Sequence, residues 1–251
     1  MSRRKASAEQ VGLGIEDGGP DRARLKKYNA YFTPQGTVRL IMQTLRDDLG
    51  INPRRIRDPN AGGGVFGWAA GLEYPYAHRT GIEVREEEAE HVEHNYDRAV
   101  MGDYLSLPVE PQSCDAIITN PSFEEALQVA DKGLRELDDG GWMGLLLRLT
   151  WGDHSGVSAW LREHPPVGMI ELDGRLAFAV GTNPDTGKPY QEDSVTYRMW
   201  LWRQGAGKLT RGGAIDFERY LKLERLADAD RTWMRVGGVA VRPGTEHLFG
   251  L

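Results

Sequence analysis

A short strand-type segment that leads into polar residues and a turn recurs four times between residues 55 and 123 of this chain, with helix-type segments between the copies. The first is Arg55-Ile56-Arg57-Asp58, and the second is Thr80-Gly81-Ile82-Glu83-Val84. The third runs from Val100 to Leu105, and the fourth is Asp115-Ala116-Ile117-Ile118-Thr119, leading into Asn120. Strands alternating with helices in this way predict a mainly parallel sheet with helices on both faces. Polar residues at successive strand ends then gather along one edge of the sheet. In open α/β sheets that edge is where ligands bind.

Each strand end has its own chemistry. After Asp58 come Pro59-Asn60-Ala61-Gly62-Gly63-Gly64 and a helix from Val65. Strand, glycine loop and helix form the geometry of a nucleotide-type ligand site, because glycines admit a close backbone approach and the helix N-terminus carries partial positive charge. The loop has neither the Lys-Ser/Thr of a phosphate cradle nor the spacing of a dinucleotide fingerprint. Asp58, at the strand end, is placed to meet an ammonium group. Glu83 is placed either to hydrogen-bond ribose hydroxyls or simply to begin the solvated run Glu86-Glu87-Glu88. Asp103 can accept from an adenine amine, with Tyr104 or Leu105 against the ring. At the fourth end, Asn120-Pro121-Ser122-Phe123 breaks the strand, since proline cannot continue the ladder and Asn tolerates turn geometry. The turn groups an amide, a backbone carbonyl and an aromatic ring. It is either a plain strand exit or a place to hold a flat heterocycle by its exocyclic amine.

The remaining chain frames these four ends. Residues 1–20 are polar and glycine-bearing, and disorder is expected. Thr33-Pro34 predicts a helix start, with Thr33 as N-cap and Pro34 at the first helical position. Val38, Leu40, Ile41, Thr44 and Leu45 give that helix an apolar face. Further helices are expected over 123–137 and 158–164, and further strands over 142–149, 167–172 and 194–202. The segment 175–192 is a long loop, of the kind that is usually functional. Beyond 205, residues 214–226 read as an amphipathic helix, giving a C-terminal helical appendage over 205–251. The single cysteine, Cys114, excludes a disulfide framework and a cysteine-based metal site, and it points to a reducing compartment. No membrane span or signal peptide is legible, so a cytoplasmic protein is expected. The net charge of −6 does not advertise nucleic-acid binding. The basic residues are uneven, however, and Arg54, Arg55 and Arg57 are candidates for a local basic surface.

Taken in order, these pieces resemble the S-adenosylmethionine-dependent amino-methyltransferases of the DNA adenine-N6 type. The first motif of that family pairs an acid and proline with glycines and a Phe, and the chain has Asp58-Pro59-Asn60-Ala61-Gly62-Gly63-Gly64-Val65-Phe66. The catalytic motif, Asp/Asn/Ser-Pro-Pro-aromatic, is matched by Asn120-Pro121-Ser122-Phe123, with Ser122 in place of the second proline. Tyr31-Phe32-Thr33-Pro34 is similar to the motif that closes the cofactor pocket from the N-terminal side. The resemblance covers roughly residues 28–203. It implies a Rossmann-like class I methyltransferase fold with a seven-stranded sheet, a catalytic domain over 21–204, and S-adenosylmethionine as cofactor.

By this resemblance, Asp58, Gly62 and Gly64 hold the methionine part of the cofactor, within the Pro59, Asn60, Ala61 and Phe66 segment, and Thr33 lies near its carboxylate. Glu83, with Val84 beside it, holds the ribose. Asp103 and Tyr104 hold the adenine. Asn120 and the Pro121 carbonyl accept hydrogens from the substrate amine, and Phe123 stacks on the base. Two acceptors localise the lone pair of a poorly nucleophilic amine and aim it at the sulfonium methyl, which is positioning plus electrostatics and needs no metal. A duplex base has to be flipped out to reach such a turn. DNA is the implied partner, with the 175–192 loop as the candidate recognition element. Ser122 is expected to loosen the turn that fixes the Pro121 carbonyl. RNA adenine, cytosine N4 and a protein glutamine amide remain as acceptors, and a non-catalytic S-adenosylmethionine-binding subunit remains as a different class of protein.

Overall fold

The computed structural model describes residues 33–172, 176 and 195–205, together with the strand backbones at 182–183, 188–189, 219–223, 234–236 and 239–241. The expected disordered tail, Tyr31 and Phe32 fall outside the described residues, as does most of the 175–192 loop.

The chain opens with helix α1 (Gln35–Asp47). Its buried side chains Val38, Ile41, Met42 and Leu45 recur at helical spacing and make one apolar stripe. That stripe packs against helix α2 (Val65–Glu73). Glu73, itself buried, pins the pair by accepting from Arg39 Nε at 2.6 Å and Arg46 Nη1 at 2.5 Å. Between the two helices lies strand β1 (Arg55–Asp58). After α2 come β2 (His78–Glu83), helix α3 (Ala89–Asn95) and β3 (Arg98–Met101). Next are β4 (Cys114–Thr119), helix α4 (Ala126–Glu136) and β5 (Leu137–Arg148). Helix α5 (Ser155–Glu163) and β6 (Gly168–Leu172) follow. The two-residue strands β7 (Thr182–Asn183) and β8 (Lys188–Pro189) pair with each other, and β9 (Tyr197–Arg203) returns to the main sheet.

Seven strands lie side by side in the order β3-β2-β1-β4-β5-β9-β6. The pairings from β3 through β5 are parallel, whereas β9 runs antiparallel to both β5 and β6. This is the mainly parallel seven-stranded sheet that the sequence implies. Successive strand residues point to opposite faces. Ala116, Ile118 and Leu146 join the core under α1 and α2, while Ile117, Leu145 and Leu147 join the core under α4 and α5. Helices therefore cover both faces. The strand order reverses between β1 and β4, so the C-terminal ends of these strands flank a crevice of the kind in which α/β sheets bind ligands.

Three expectations need correction. The helix expected over 214–226 is, at Arg219–Leu223, a strand β10 that pairs parallel with β6 and adds an eighth strand to the sheet. Unpaired backbone along the outer edge of β6 offers hydrogen bonds that override the local helical periodicity. A small antiparallel pair, β11 (Met234–Val236) and β12 (Val239–Val241), lies further along. The strand expected over 142–149 begins earlier, at Leu137, so Gly140 and Gly141 sit inside β5. Gly140 has φ 76°, and the pairing register with β4 shifts there. Finally, Thr33 does not cap α1: the residue before the helix is Pro34, with no side-chain cap, and the Thr33 hydroxyl is used elsewhere.

Candidate functional site

Asp58 closes β1 and lies 1 % exposed at the floor of the crevice. Its Oδ1 accepts from Thr119 Oγ1 at 2.6 Å and from the Asn60 amide at 3.1 Å, and its Oδ2 accepts from Tyr96 Oη at 2.5 Å. Burial pushes its carboxyl up to about 6, against the three hydrogen bonds that favour the charged form. The residue thus joins β1, the glycine loop, β4 and the end of α3.

Tyr96 is the residue that sequence reasoning underrated. Its hydroxyl donates to Asp58 and accepts from the Gly67 amide at 3.0 Å. Its ring lies so close to two glycines that a Cβ on Gly67 would approach it to 2.5 Å and one on Gly81 to 2.6 Å. Burial, and next the Asp58 charge, raise its pKa well above the ordinary value. The legible signal was the pair of glycines: one inside a helix and one inside a strand, each destabilising unless something packs against it.

The loop after Asp58 turns through Gly62 (φ 56°) and Gly64 (φ 82°), both left-handed. The Gly62 amide donates to Glu83 Oε2 at 2.6 Å, which brings the glycine loop and the end of β2 together. Glu83 is 5 % exposed and is gripped by Arg85. Val84, between them, is 49 % exposed, an apolar side chain at the strand end facing away from the core. Asn60 Oδ1 is buried and has no hydrogen-bond partner among the described residues. Pro59 and Ala61 are buried, and Phe66, expected in the cofactor wall, is core instead, packed with Val38, Ile41 and Tyr74.

Across the crevice, Asn120 Nδ2 donates to Thr33 Oγ1 at 3.0 Å, joining residues 87 apart in sequence. The N-terminal Thr-Pro and the Asn-Pro turn therefore meet. Ser122 does not leave the turn loose. Its Oγ bonds Glu125 Oε2 at 3.0 Å, and its carbonyl accepts from the Glu125 amide at 3.2 Å, so a hydrogen-bonded turn takes over the stiffening role of a proline. Phe123 is half-buried. The Arg148 guanidinium sits 4.2 Å from its ring centroid, and Tyr197 packs at 5.9 Å with a 34° tilt. A base that stacks on the face held by Arg148 has to displace that guanidinium. Beside the ring opens a cleft of about 320 Å³ whose lining includes Gln128, Arg148, Trp151 and His154.

At the third strand end the expected assignments divide. Asp103 is exposed, but its carboxylate holds its own turn, accepting from the Leu105 amide at 2.9 Å and Ser106 Oγ at 2.6 Å. Tyr104 points into the core. It is 3 % exposed, donates to Glu136 Oε2 at 2.8 Å and carries Lys132 Nζ 4.4 Å from its ring centroid. Its ring is accordingly unavailable to an adenine. The candidate basic surface is also reduced. Arg57 is buried, with Glu136 at 2.6 Å and Glu110 at 2.9 Å, and Arg55 is paired with Asp115 and Asp138.

No family model matches this sequence, and no curated protein matches it. Solved structures do match. A protein assigned as a class I S-adenosylmethionine-dependent methyltransferase from Listeria monocytogenes superposes with a TM-score of 0.53 at 15 % identity, covering 79 % of this chain and 71 % of its own. One assigned as an RNA methyltransferase from Pyrococcus horikoshii gives 0.54 at 15 % identity, covering 76 % and 94 %. One assigned as an O-methyltransferase from Agrobacterium tumefaciens gives 0.53 at 16 % identity, covering 82 % and 99 %. The fold is therefore the Rossmann-like fold of class I methyltransferases. At these identities the likeness is one of architecture.

Proposed function

We propose that this chain is an S-adenosylmethionine-dependent methyltransferase acting on an exocyclic amine of a nucleic-acid base, with adenine N6 of DNA as the leading substrate. The observation that carries this reading is the Asn120–Thr33 hydrogen bond at 3.0 Å. It fixes the amide by its nitrogen and so leaves Oδ1, next to the Pro121 carbonyl, as the side-chain acceptor at the switch point of the sheet.

The crevice suits the cofactor. Gly62 and Gly64 allow a close backbone approach, half-exposed Val84 offers an apolar wall for a flat ring, and Asn60 Oδ1 is a buried acceptor awaiting a donor such as an ammonium group. Glu83 is the acceptor for ribose hydroxyls. Bound S-adenosylmethionine supplies an electrophilic methyl on a sulfonium. Asn120 Oδ1 and the Pro121 carbonyl orient the acceptor amine by its hydrogens and favour a localised lone pair, while Phe123 and the cleft beside it seat the ring that bears the amine. Holding the two reactants in line is the main source of rate in such a site.

The test is transfer from labelled S-adenosylmethionine to unmodified single- and double-stranded DNA and to RNA, with product nucleosides identified by mass. N6-methyladenine in DNA supports the proposal. The same nucleoside only in RNA shifts the substrate, and label in neither polymer overturns the nucleic-acid reading.

A further inference from the structure

The ribose role of Glu83 meets an obstacle in the structure, and the obstacle is a specific residue. A carboxylate offers about four lone-pair sites. On Oε1, one is taken by the Arg85 amide at 3.0 Å and another by Arg85 Nε at 2.7 Å. On Oε2, one is taken by the Gly62 amide at 2.6 Å and another by Arg85 Nη2 at 3.3 Å. Both side chains are nearly fully buried, at 5 % and 6 % exposure. As arranged, Glu83 has no acceptor site left for a hydroxyl.

Arg85 also has somewhere to go. Its Nη1 is buried without a hydrogen-bond partner among the described residues, 3.5 Å from Oε1 of Glu88, a carboxylate with no exposure at all. Glu88 lies on the turn leading into α3, and its other oxygen contacts His91 Nδ1 at 3.1 Å. A small rotation of the guanidinium exchanges its bonds to Glu83 for a bond to Glu88. It thereby frees one or two Glu83 acceptor sites toward the glycine loop, and the positive charge stays paired throughout.

We propose that Arg85 is a latch on the cofactor site, and so a residue that sets cofactor affinity. It holds Glu83 in the closed arrangement and shifts onto Glu88 when ribose hydroxyls take its place. This rests on the reading of Glu83 as the ribose acceptor. A site open only part of the time binds more weakly in proportion to the closed fraction, so a latch closed about nine times in ten weakens apparent affinity about tenfold.

The test is calorimetric titration with S-adenosylhomocysteine and with its 2′,3′-dideoxy analogue, on the wild type, Arg85→Gln and Arg85→Lys. Thermal unfolding checks that each variant is folded. Arg85→Lys keeps the charge but loses the two-pronged grip, so it remains informative if Arg85→Gln, which leaves two buried carboxylates without their cation, does not fold. The latch predicts that the wild type discriminates against the dideoxy analogue, and that Arg85→Lys binds S-adenosylhomocysteine about threefold or more tighter. Discrimination without any tightening, or with weaker binding, overturns the latch and leaves the ribose reading standing. Equal wild-type affinity for both ligands removes the ribose reading, and the latch with it.

Discussion

Asp58 shows how one residue can be easy to find and hard to interpret. Its place at the end of β1, before the glycines, was legible in the sequence. Its partners were not, because Tyr96 and Thr119 are 38 and 61 residues away and nothing local marks them. Burial raises its carboxyl from 3.8 to about 6. A carboxyl raised on folding contributes stability below its unfolded pKa, and that contribution is lost as pH climbs through the folded value. The loss falls between about pH 4 and about pH 6. Asp58→Asn removes the titration, so its unfolding free energy is expected to fall less than that of the wild type across this window, which denaturant melts at several pH values will measure. Tyr96→Phe is expected to destabilise by about 1–3 kcal/mol, because it removes the hydroxyl that bonds both the Gly67 amide and Asp58 Oδ2. Chemical denaturation reads this directly, and a change within error contradicts the bridging role given to Tyr96. Tyr104 teaches the converse. Its position after β3 suggested a ring for stacking, but its hydroxyl and ring are committed to Glu136 and Lys132 on α4, which no spacing in the sequence announces.

At the scale of elements, the strand–loop–helix units were readable because each strand-type segment is short and three of the four, all but the one ending at Glu83-Val84, are closed by Gly, Pro, Asn or Asp. The failures lie where tertiary pairing decides. Residues 219–223 have helical periodicity but complete a sheet edge, and Thr33 has cap chemistry but bonds Asn120. Ser122 belongs to this scale too, since it links the Asn-Pro turn to the start of α4. Ser122→Ala removes the bond to Glu125 and is expected to cost about 0.5–1.5 kcal/mol, the net worth of an ordinary hydrogen bond. If the turn positions the acceptor amine, kcat should drop as well, with the affinity for S-adenosylmethionine unchanged. A thermal shift together with steady-state kinetics separates the two effects, and unchanged kcat would show that the Ser122–Glu125 bond serves the helix alone.

For the molecule as a whole, seven strands make the mainly parallel sheet implied by the resemblance, and an eighth comes from a region the sequence assigned to a separate helical appendage. The sheet does not stop at residue 205. Ending the chain there removes β10 and bares five residues of the β6 edge. The truncated protein is expected to melt at a lower temperature and to self-associate as concentration rises, because a bare edge is a template for another strand. Light scattering over a dilution series checks this, and a truncated form that stays monomeric with an unchanged melting temperature would mean that β10 contributes little to the sheet.

The proposed function divides labour across the crevice, with the β1 and β2 ends binding cofactor and the Asn120 turn acting on the acceptor. The most direct measurement compares S-adenosylmethionine affinity and methyl-transfer rate in the wild type and Asn120→Ala. Affinity is expected to stay within about threefold while transfer falls by about 10²-fold or more. A wild-type protein that does not bind S-adenosylmethionine, or a variant that transfers methyl groups at the wild-type rate, would contradict it.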